Sequence, residues 1–334
     1  MTSTFYGQWF HEANAPGVVH CFSTKKRLFS GQSDFQTVDI IESEAYGKML
    51  LLDDQVQSAK NDEHMYHESL VQPAMLSHPN PKNVYIGGGG EGATAREVLR
   101  HPSVEKCVMA DIDPIVCKMC EEQMEEWHEG AYTDPRFELV VDDAKATLEK
   151  YEDGHFDVII LDLSDPLEYG PCYTLYSKEF YNMCYRKLSP GGVFVTQSGP
   201  ASLLVCKDVY TPVYNTLKSS DFDTAYAYQT HIPSFAHSWG FNMATKTDMS
   251  AEGTCLPASR LQTCSPAEID AVVDARLGAD TLKHYDGVAH LGMFNLSKSI
   301  RTLLNAEERV ISEKTPIYVS YCDNTAVAEA TADE

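Results

Sequence analysis

The chain is short of positive charge: its 334 residues carry 26 Lys and Arg against 49 Asp and Glu, a net charge of -23. A phosphate backbone would be repelled by such a surface, so a nucleic-acid partner is not expected, whereas a cationic ligand suits it. Long hydrophobic runs are also missing. The densest apolar stretch, residues 158–161, is strand-sized and falls well short of the roughly 18 residues of a membrane span, so no membrane is expected. Residues 1–10 have neither a basic start nor an apolar centre, so no export signal is expected. The ten cysteines are scattered rather than paired at framework spacings, which points to a reducing, cytoplasmic compartment. Cys117 and Cys120 form a lone C-x-x-C in a helical stretch, and a zinc site would need a second ligand pair, so no metal is expected. No internal repeat is present. The overall composition, 43% hydrophobic and 22% charged, is that of a globular protein.

The apolar pattern divides the chain. Residues 17–60 alternate in short runs broken by Gly31, Gly47 and Asp53-Asp54, the mark of hairpins in a small antiparallel sheet. Helical spacing follows over 62–76. From there strands and helices alternate: strands at 83–86, 107–112, 137–141, 156–161 and 193–197, with helices at 93–100, 114–127, 144–151 and 176–188 between them. That alternation predicts an α/β fold, a doubly wound, Rossmann-like sheet of largely parallel strands, preceded by the small β domain. Domain limits are placed at 1–65, 66–310 and 311–334, with an acidic, small-residue tail from Asp323 expected to be disordered.

Ligands of doubly wound sheets lie beyond the carboxyl ends of the strands. The first strand ends in a glycine run that matches Gly87-x-Gly89-x-x-Gly92, with Asp111 following about 20 residues on, where an acid would meet ribose hydroxyls. The run also reads as a plain turn that packs helix on strand. Glu91 alters the balance, because a carboxylate in the loop repels a pyrophosphate and attracts a cation. A nucleoside without phosphates, carrying positive charge, fits best. Asp113, directly before Pro114, fits a helix cap better than Asp111 does. At the third strand end, one of Asp142 and Asp143 can accept from an adenine amine and the other can cap a helix. The fourth strand ends in Asp162 and Asp165, which would repel each other unless a cation, a metal or a polyamine, neutralised them; Asp165 alone also reads as a turn residue before Pro166.

The motifs Leu52-Asp53 to Gln57, Asp62-Glu63 to Tyr66-His67-Glu68, the glycine run with Glu91, Asp111-Ile112-Asp113, Asp143-Ala144, Asp162 to Pro166 and Val195-Thr196-Gln197 together resemble the aminopropyltransferases, the spermidine, spermine and thermospermine synthases. Residues 165–173, 195–201, 233–235 and 284–296 are most similar to the thermospermine-forming members. The resemblance implies transfer of an aminopropyl group from decarboxylated S-adenosylmethionine to spermidine, without a metal or redox cofactor, in a homo-oligomer, dimer or tetramer. It implies Asp162 as general base and Tyr66 as the residue that positions the attacking nitrogen. Glu91, Gln36, His67, Gly87, Gly89, Asp111, Asp143 and Ala144 would bind the donor; Gln57, Tyr66, Asp162, Asp165, Gln197 and Phe235 would bind the acceptor. Phe235 stands where putrescine-using members usually carry tyrosine, so a longer, less polar acceptor is expected, with Tyr169, Tyr173, Phe235 and Trp239 as apolar walls.

Other readings remain beside this one. Without the resemblance, His67 would be a buried, hydrogen-bonded histidine; His290 is equally a structural residue or an acceptor contact; Tyr226, Tyr228 and Trp239 are ordinary core aromatics. The same chemistry could serve putrescine or the other end of spermidine. A methyltransferase shares the fold, but its donor's carboxylate would meet Glu91 and Asp162; Glu91 equally opposes a nicotinamide dehydrogenase. A polyamine-binding protein would have no use for Asp162 and Tyr66 together.

Overall fold

The computed structural model describes residues 9–15, 17–166, 172–246 and 254–319. The chain opens with β1 (Trp9–Ala15), β2 (Val18–Gln32), β3 (Thr37–Ser43), β4 (Gly47–Leu52) and β5 (Gln55–Ala59), which form an antiparallel meander in that order. Asp53 and Asp54 fill the two-residue turn between β4 and β5 with φ of 47° and 61°. Positive φ at both central residues matches the right-handed twist of a tight hairpin, and aspartate tolerates it better than most residues.

Then follow α1 (Glu63–Ser77), β6 (Asn83–Gly88), α2 (Ala93–Leu99), β7 (Lys106–Asp111), α3 (Pro114–Gln123), α4 (Glu125–His128), β8 (Phe137–Val141), α5 (Ala144–Glu149) and β9 (Phe156–Asp162). After these come α6 (Lys178–Lys187), β10 (Leu188–Pro200), α7 (Tyr210–Lys218), β11 (Thr224–Ile232), β12 (His237–Thr245), α8 (Pro266–Leu277), α9 (Gly287–Phe294) and α10 (Lys298–Ala306). The second sheet has the order β11-β12-β10-β9-β6-β7-β8. Its five central and edge strands from β10 to β8 are parallel, and β12 runs antiparallel to β10 and β11.

Parallel strands covered on both faces read as continuous apolar runs. Val158, Ile159, Ile160 and Leu161 accordingly have no exposed surface. Alternate residues serve opposite layers: Val84, Ile86, Met109, Ile160 and Val195 face one core, Tyr85, Val108, Ile159, Leu161 and Phe194 the other. A third cluster joins Val38, Ile40 and Leu50 of the first sheet to Ala93, Val116 and Trp127, so the N-terminal sheet packs directly on α2, α3 and α4. Helix α1 is buried from Tyr66 to Leu76 and packs against α2, β10 and β11. A helix enclosed on all sides has no reason to be amphipathic.

The doubly wound sheet and its small antiparallel companion stand as expected. Three details differ. The helix expected over 114–127 breaks at Met124 into α3 and α4. The fifth strand is longer than expected, 13 residues. Strands β11 and β12, which extend the sheet antiparallel, were not foreseen at all. The tail from Asp323, and Tyr169 among the proposed apolar walls, lie outside the described residues.

Candidate active site

The strand order reverses between β9 and β7 around β6, so the switch point lies where β6 and β9 end side by side. Gly88 sits opposite Asp162 in the parallel ladder. Its φ is 81°, and a Cβ there would fall 2.2 Å from the Asp162 carbonyl oxygen. Only glycine permits both the turn and the approach. The Gly89 amide, next along at a φ of 77°, donates to that same carbonyl at 3.0 Å. The glycine run therefore fastens its own loop to the base of the proposed catalytic carboxylate.

Both oxygens of Asp162 hold a hydroxyl. Tyr66 on α1 donates to Oδ1 at 2.6 Å, and Thr94 on the first turn of α2 donates to Oδ2 at 2.5 Å. Burial, and then the Asp162 charge, push the Tyr66 phenol well above its ordinary value of 10, so it remains a donor. Each carboxylate oxygen can accept a further bond, so the pair leaves room for an incoming N–H. Thr94 was not singled out in the sequence. A threonine two residues past Gly92 reads as an ordinary helix residue, and only the fold brings its hydroxyl to Asp162.

His67 faces Glu91 through Nε2 and Glu63 through Nδ1, the latter at 2.9 Å to the carboxylate and 2.7 Å to the backbone carbonyl. Burial alone would lower the imidazole pKa. The Glu91 charge and the hydrogen bonds of the two carboxylates outweigh it and push it up to about 10. Burial in turn raises the pKa of Glu91, and the His67 charge opposes the rise. Arg96 grips Glu63 with both terminal nitrogens, at 3.1 and 2.9 Å, and reaches Glu97 through Nε at 2.8 Å. His67 thus stands behind Glu91 as its counter-charge.

At the end of β7, Asp111 accepts from the Gly90 amide through Oδ2 and from the Asp113 amide through Oδ1, both at 2.9 Å. Burial, offset by those two amides, pushes its carboxyl up to about 6. Asp113 caps α3 through Oδ1, as the Asp-Pro pair predicts. Its Oδ2 accepts from Ser33 at 2.6 Å and from Gln36 at 2.9 Å. Gln36 therefore enters the site through the Asp113 turn. Asp142 and Asp143 divide the polar work of the turn before α5. Asp143 Oδ1 caps α5 by accepting from the Ala146 amide at 2.7 Å, and Asp142 accepts from Lys150 at 2.8 Å. Oδ2 is the oxygen of Asp143 left for a ligand. Ala144 is buried at the start of α5, its carbonyl accepting from Tyr85 at 2.6 Å.

On the other side, Gln197 does not reach out to a ligand. Its Nε2 donates to the Leu163 carbonyl at 2.6 Å and Tyr176 at 2.7 Å, with Asp165 at 3.2 Å; its Oε1 accepts from the Gly199 amide at 2.8 Å and Trp239 at 3.1 Å. It is a strut that fixes Asp165 and Trp239. Phe235 packs on Trp239 with ring centroids 4.6 Å apart and meets Tyr66 edge-on at 5.8 Å. The turn bearing it is tied to the start of α1, where Asp62 accepts from the amide and hydroxyl of Ser234 at 2.7 and 2.9 Å. Gln57 lies half-buried on β5, the strand packed against this turn. Tyr173 meets Tyr318 at a tilt, with ring centroids 5.6 Å apart. Tyr228 is core, stacked on Phe241 and Phe294. His290 is also core: it is fully buried, with Nε2 on the Leu261 carbonyl and Nδ1 on the Tyr285 hydroxyl. Among the described residues no group of three or more His, Cys, Asp or Glu is arranged to hold a metal, and no helix is long and apolar enough to cross a membrane.

Fold and strand ends together define an enzyme of the Rossmann-like, methyltransferase type whose switch point is lined by carboxylates. The comparisons narrow this. The spermine/spermidine synthase domain matches residues 63–253, and the spermidine synthase tetramerisation domain matches residues 8–60. The chain is 39% identical over 312 residues to a thermospermine synthase of Arabidopsis thaliana, covering 93% of this chain and 87% of that one. It is equally, 39%, identical over 321 residues to a polyamine aminopropyltransferase of Saccharolobus solfataricus, covering 94% and 99%. A crystal structure of spermidine synthase in complex with the transition-state analogue AdoDATO superposes with a TM-score of 0.79 at 29% identity, covering 90% and 96% of the two chains. The chain belongs to the spermine/spermidine synthase family and is a polyamine aminopropyltransferase.

Proposed function

We propose that the chain transfers the aminopropyl group of decarboxylated S-adenosylmethionine to spermidine, giving thermospermine and methylthioadenosine. The amine nitrogen attacks the methylene beside the sulfonium, the new C–N bond forms in line, and the C–S bond breaks with its electron pair left on sulfur. The sulfonium is already a leaving group, so the chemistry calls for no metal or redox cofactor. Asp162 takes the proton from the attacking nitrogen, and Tyr66 and Thr94 hold its carboxylate in place. Glu91 receives the donor's ammonium, Asp111 the ribose, and Asp143 Oδ2 with the backbone at Ala144 the adenine. Asp165, fixed by Gln197, faces the acceptor's far nitrogen. Holding the two substrates in line can be worth roughly 7–11 kcal/mol, and base catalysis a further ~10²–10⁴-fold.

The choice of spermidine rests on one observation: Phe235, packed between Tyr66 and Trp239, lines the acceptor side with a ring that has no hydrogen-bonding group. The identity to relatives favours no acceptor, since the plant and archaeal enzymes are equally similar. The match of residues 8–60 to a tetramerisation domain supports a homo-oligomer. The test is incubation with decarboxylated S-adenosylmethionine and, separately, putrescine and spermidine, with products resolved by chromatography against spermine and thermospermine standards. Thermospermine from spermidine is the expected product. Spermidine from putrescine as the main product would overturn the acceptor assignment and leave the transfer chemistry standing.

A further inference from the structure

The mechanism uses Glu91 but leaves the buried charges behind it without a task. His67 has no exposed surface, and both of its ring nitrogens face acceptors. Nδ1 points at a backbone carbonyl, which can only accept, so Nδ1 carries a hydrogen. If the ring lost one proton it would come from Nε2, and the bare lone pair would then oppose the Glu91 carboxylate. The contact of Nε2 with an ionised Glu91 is favourable only while the ring is doubly protonated. Besides the Glu91 charge itself, what keeps it so is Glu63, at 2.9 Å from Nδ1, which is itself fixed by the Arg96 fork.

We propose that Glu63 and Arg96 are positioning residues for the donor: they hold the His67 imidazolium against Glu91, which fixes that carboxylate as an oriented anion for the donor's ammonium. The proposal rests on the reading of Glu91 given above. The groups that face His67 are few and come from every element around it. They are Glu63 and Tyr66 on α1, Glu91 on the glycine loop, and Arg96 and Glu97 beyond Glu63 on α2. Asp162 on β9 acts on Glu91 through its charge, and the Cys120 thiol on α3 is kept neutral by burial and by the Glu91 charge. Of these only Glu63 and Glu91 touch the ring nitrogens. With both carboxylates in place the ring stays charged to about pH 10. Without Glu63 it loses one of two stabilising anions, and its titration enters the working range.

The test measures KM for decarboxylated S-adenosylmethionine and kcat from about pH 6 to about pH 9.5 for wild type and Glu63→Gln, together with the affinity for methylthioadenosine by calorimetry. Methylthioadenosine lacks the aminopropyl ammonium and does not meet Glu91. Expected is a donor KM near wild type at the acid end and raised roughly tenfold or more at the alkaline end. A change in kcat of less than about threefold and an unchanged methylthioadenosine affinity should accompany it. A KM rise that is the same at every pH, or a parallel loss of methylthioadenosine affinity, would reduce Glu63 to a packing role and overturn the proposal. Glu63→Asp should restore most of the alkaline loss. If Glu63→Gln does not fold, Arg96→Lys, which keeps the charge and loses the fork, should show the same alkaline rise in smaller measure, and a flat profile there would equally overturn it. Glu91→Gln separates the two readings. If it leaves donor KM unchanged, the role of Glu91 itself falls. If it raises KM while Glu63→Gln does not, only the positioning role falls.

Discussion

His290 can be assigned by titrating the protein rather than its activity. The Leu261 carbonyl at 2.8 Å only accepts, so Nε2 carries the hydrogen and Nδ1 accepts from the Tyr285 hydroxyl at 2.6 Å. The ring is stacked 4.4 Å from Phe294 and is fully buried, and burial pulls its pKa from 6.5 down to about 4. The folded pKa lies below the unfolded one. The unfolded chain therefore takes up a proton that the native state refuses, and stability is intact above about pH 6.5 and lost as pH falls toward about 4. At ~1.36 kcal/mol per pH unit, the interval from 6.5 to about 4 is worth about 3 kcal/mol, of which about 2 kcal/mol is lost by about pH 5. In His290→Gln that dependence is gone, while the amide can still donate and accept. The variant should be less stable at pH 7 by ~1–3 kcal/mol, and the gap to wild type should narrow by about 2 kcal/mol at about pH 5. Urea unfolding at fixed protomer concentration reads both values. His101, pushed down to about 3 by burial and by Arg276, destabilises in the same direction, which is why the difference between the proteins is the quantity to follow. A gap that does not change with pH would refute the reasoning. So would unchanged stability with a raised spermidine KM, which would make His290 an acceptor contact.

Thr94→Val removes one hydroxyl from Asp162 and keeps the shape of the side chain. A hydrogen bond to a charged group is worth ~1.5–3 kcal/mol, so kcat should fall roughly 10- to 150-fold with methylthioadenosine binding intact, and steady-state rates at saturating substrates check this. Gly88→Ala meets both a φ of 81° and a Cβ 2.2 Å from the Asp162 carbonyl. It should lower the melting temperature and abolish turnover together, and a folded, active variant would show that the loop can move aside. Phe235→Tyr adds a hydroxyl to the proposed acceptor wall. At ~0.5–1.5 kcal/mol for a new hydrogen bond, the kcat/KM ratio for putrescine over spermidine should rise roughly 2- to 13-fold in competition assays.

The parallel half of the fold was legible because its strands are buried on both faces and so appear as unbroken apolar runs, several of them ending in the carboxylates of the proposed site. The antiparallel pair β11 and β12 was not, because their residues mix Ala, Tyr, His and Asn at half-buried and buried positions alike, and no run or clean alternation marks them. The carboxylates at the switch point were visible as charges that nothing nearby in sequence neutralised. Of their partners, Tyr66 and His67 were legible only through the family resemblance and Thr94 not at all, because all three come from helices brought there by the fold. Gln197 shows the converse: a polar residue at a strand end looks like a ligand contact, yet its amide is spent on five protein groups. Asp143 likewise has two tasks available, and the sequence cannot say that one oxygen is committed to the helix.

The bonds from Ser33 and Gln36 to Asp113 have a consequence for anyone who would trim or recombine these enzymes. Asp113 supports the Asp111 turn, so a loop of the first sheet braces the carboxyl end of β7 in the second. The two family segments that meet between residues 60 and 63 are thus separable as text but not as machinery. A minimal catalytic fragment beginning at α1 would lose the brace and expose the apolar faces of Ala93, Val116 and Trp127. A chimera should therefore inherit both segments from one parent, or carry over the Ser33, Gln36 and Asp113 trio as a single unit.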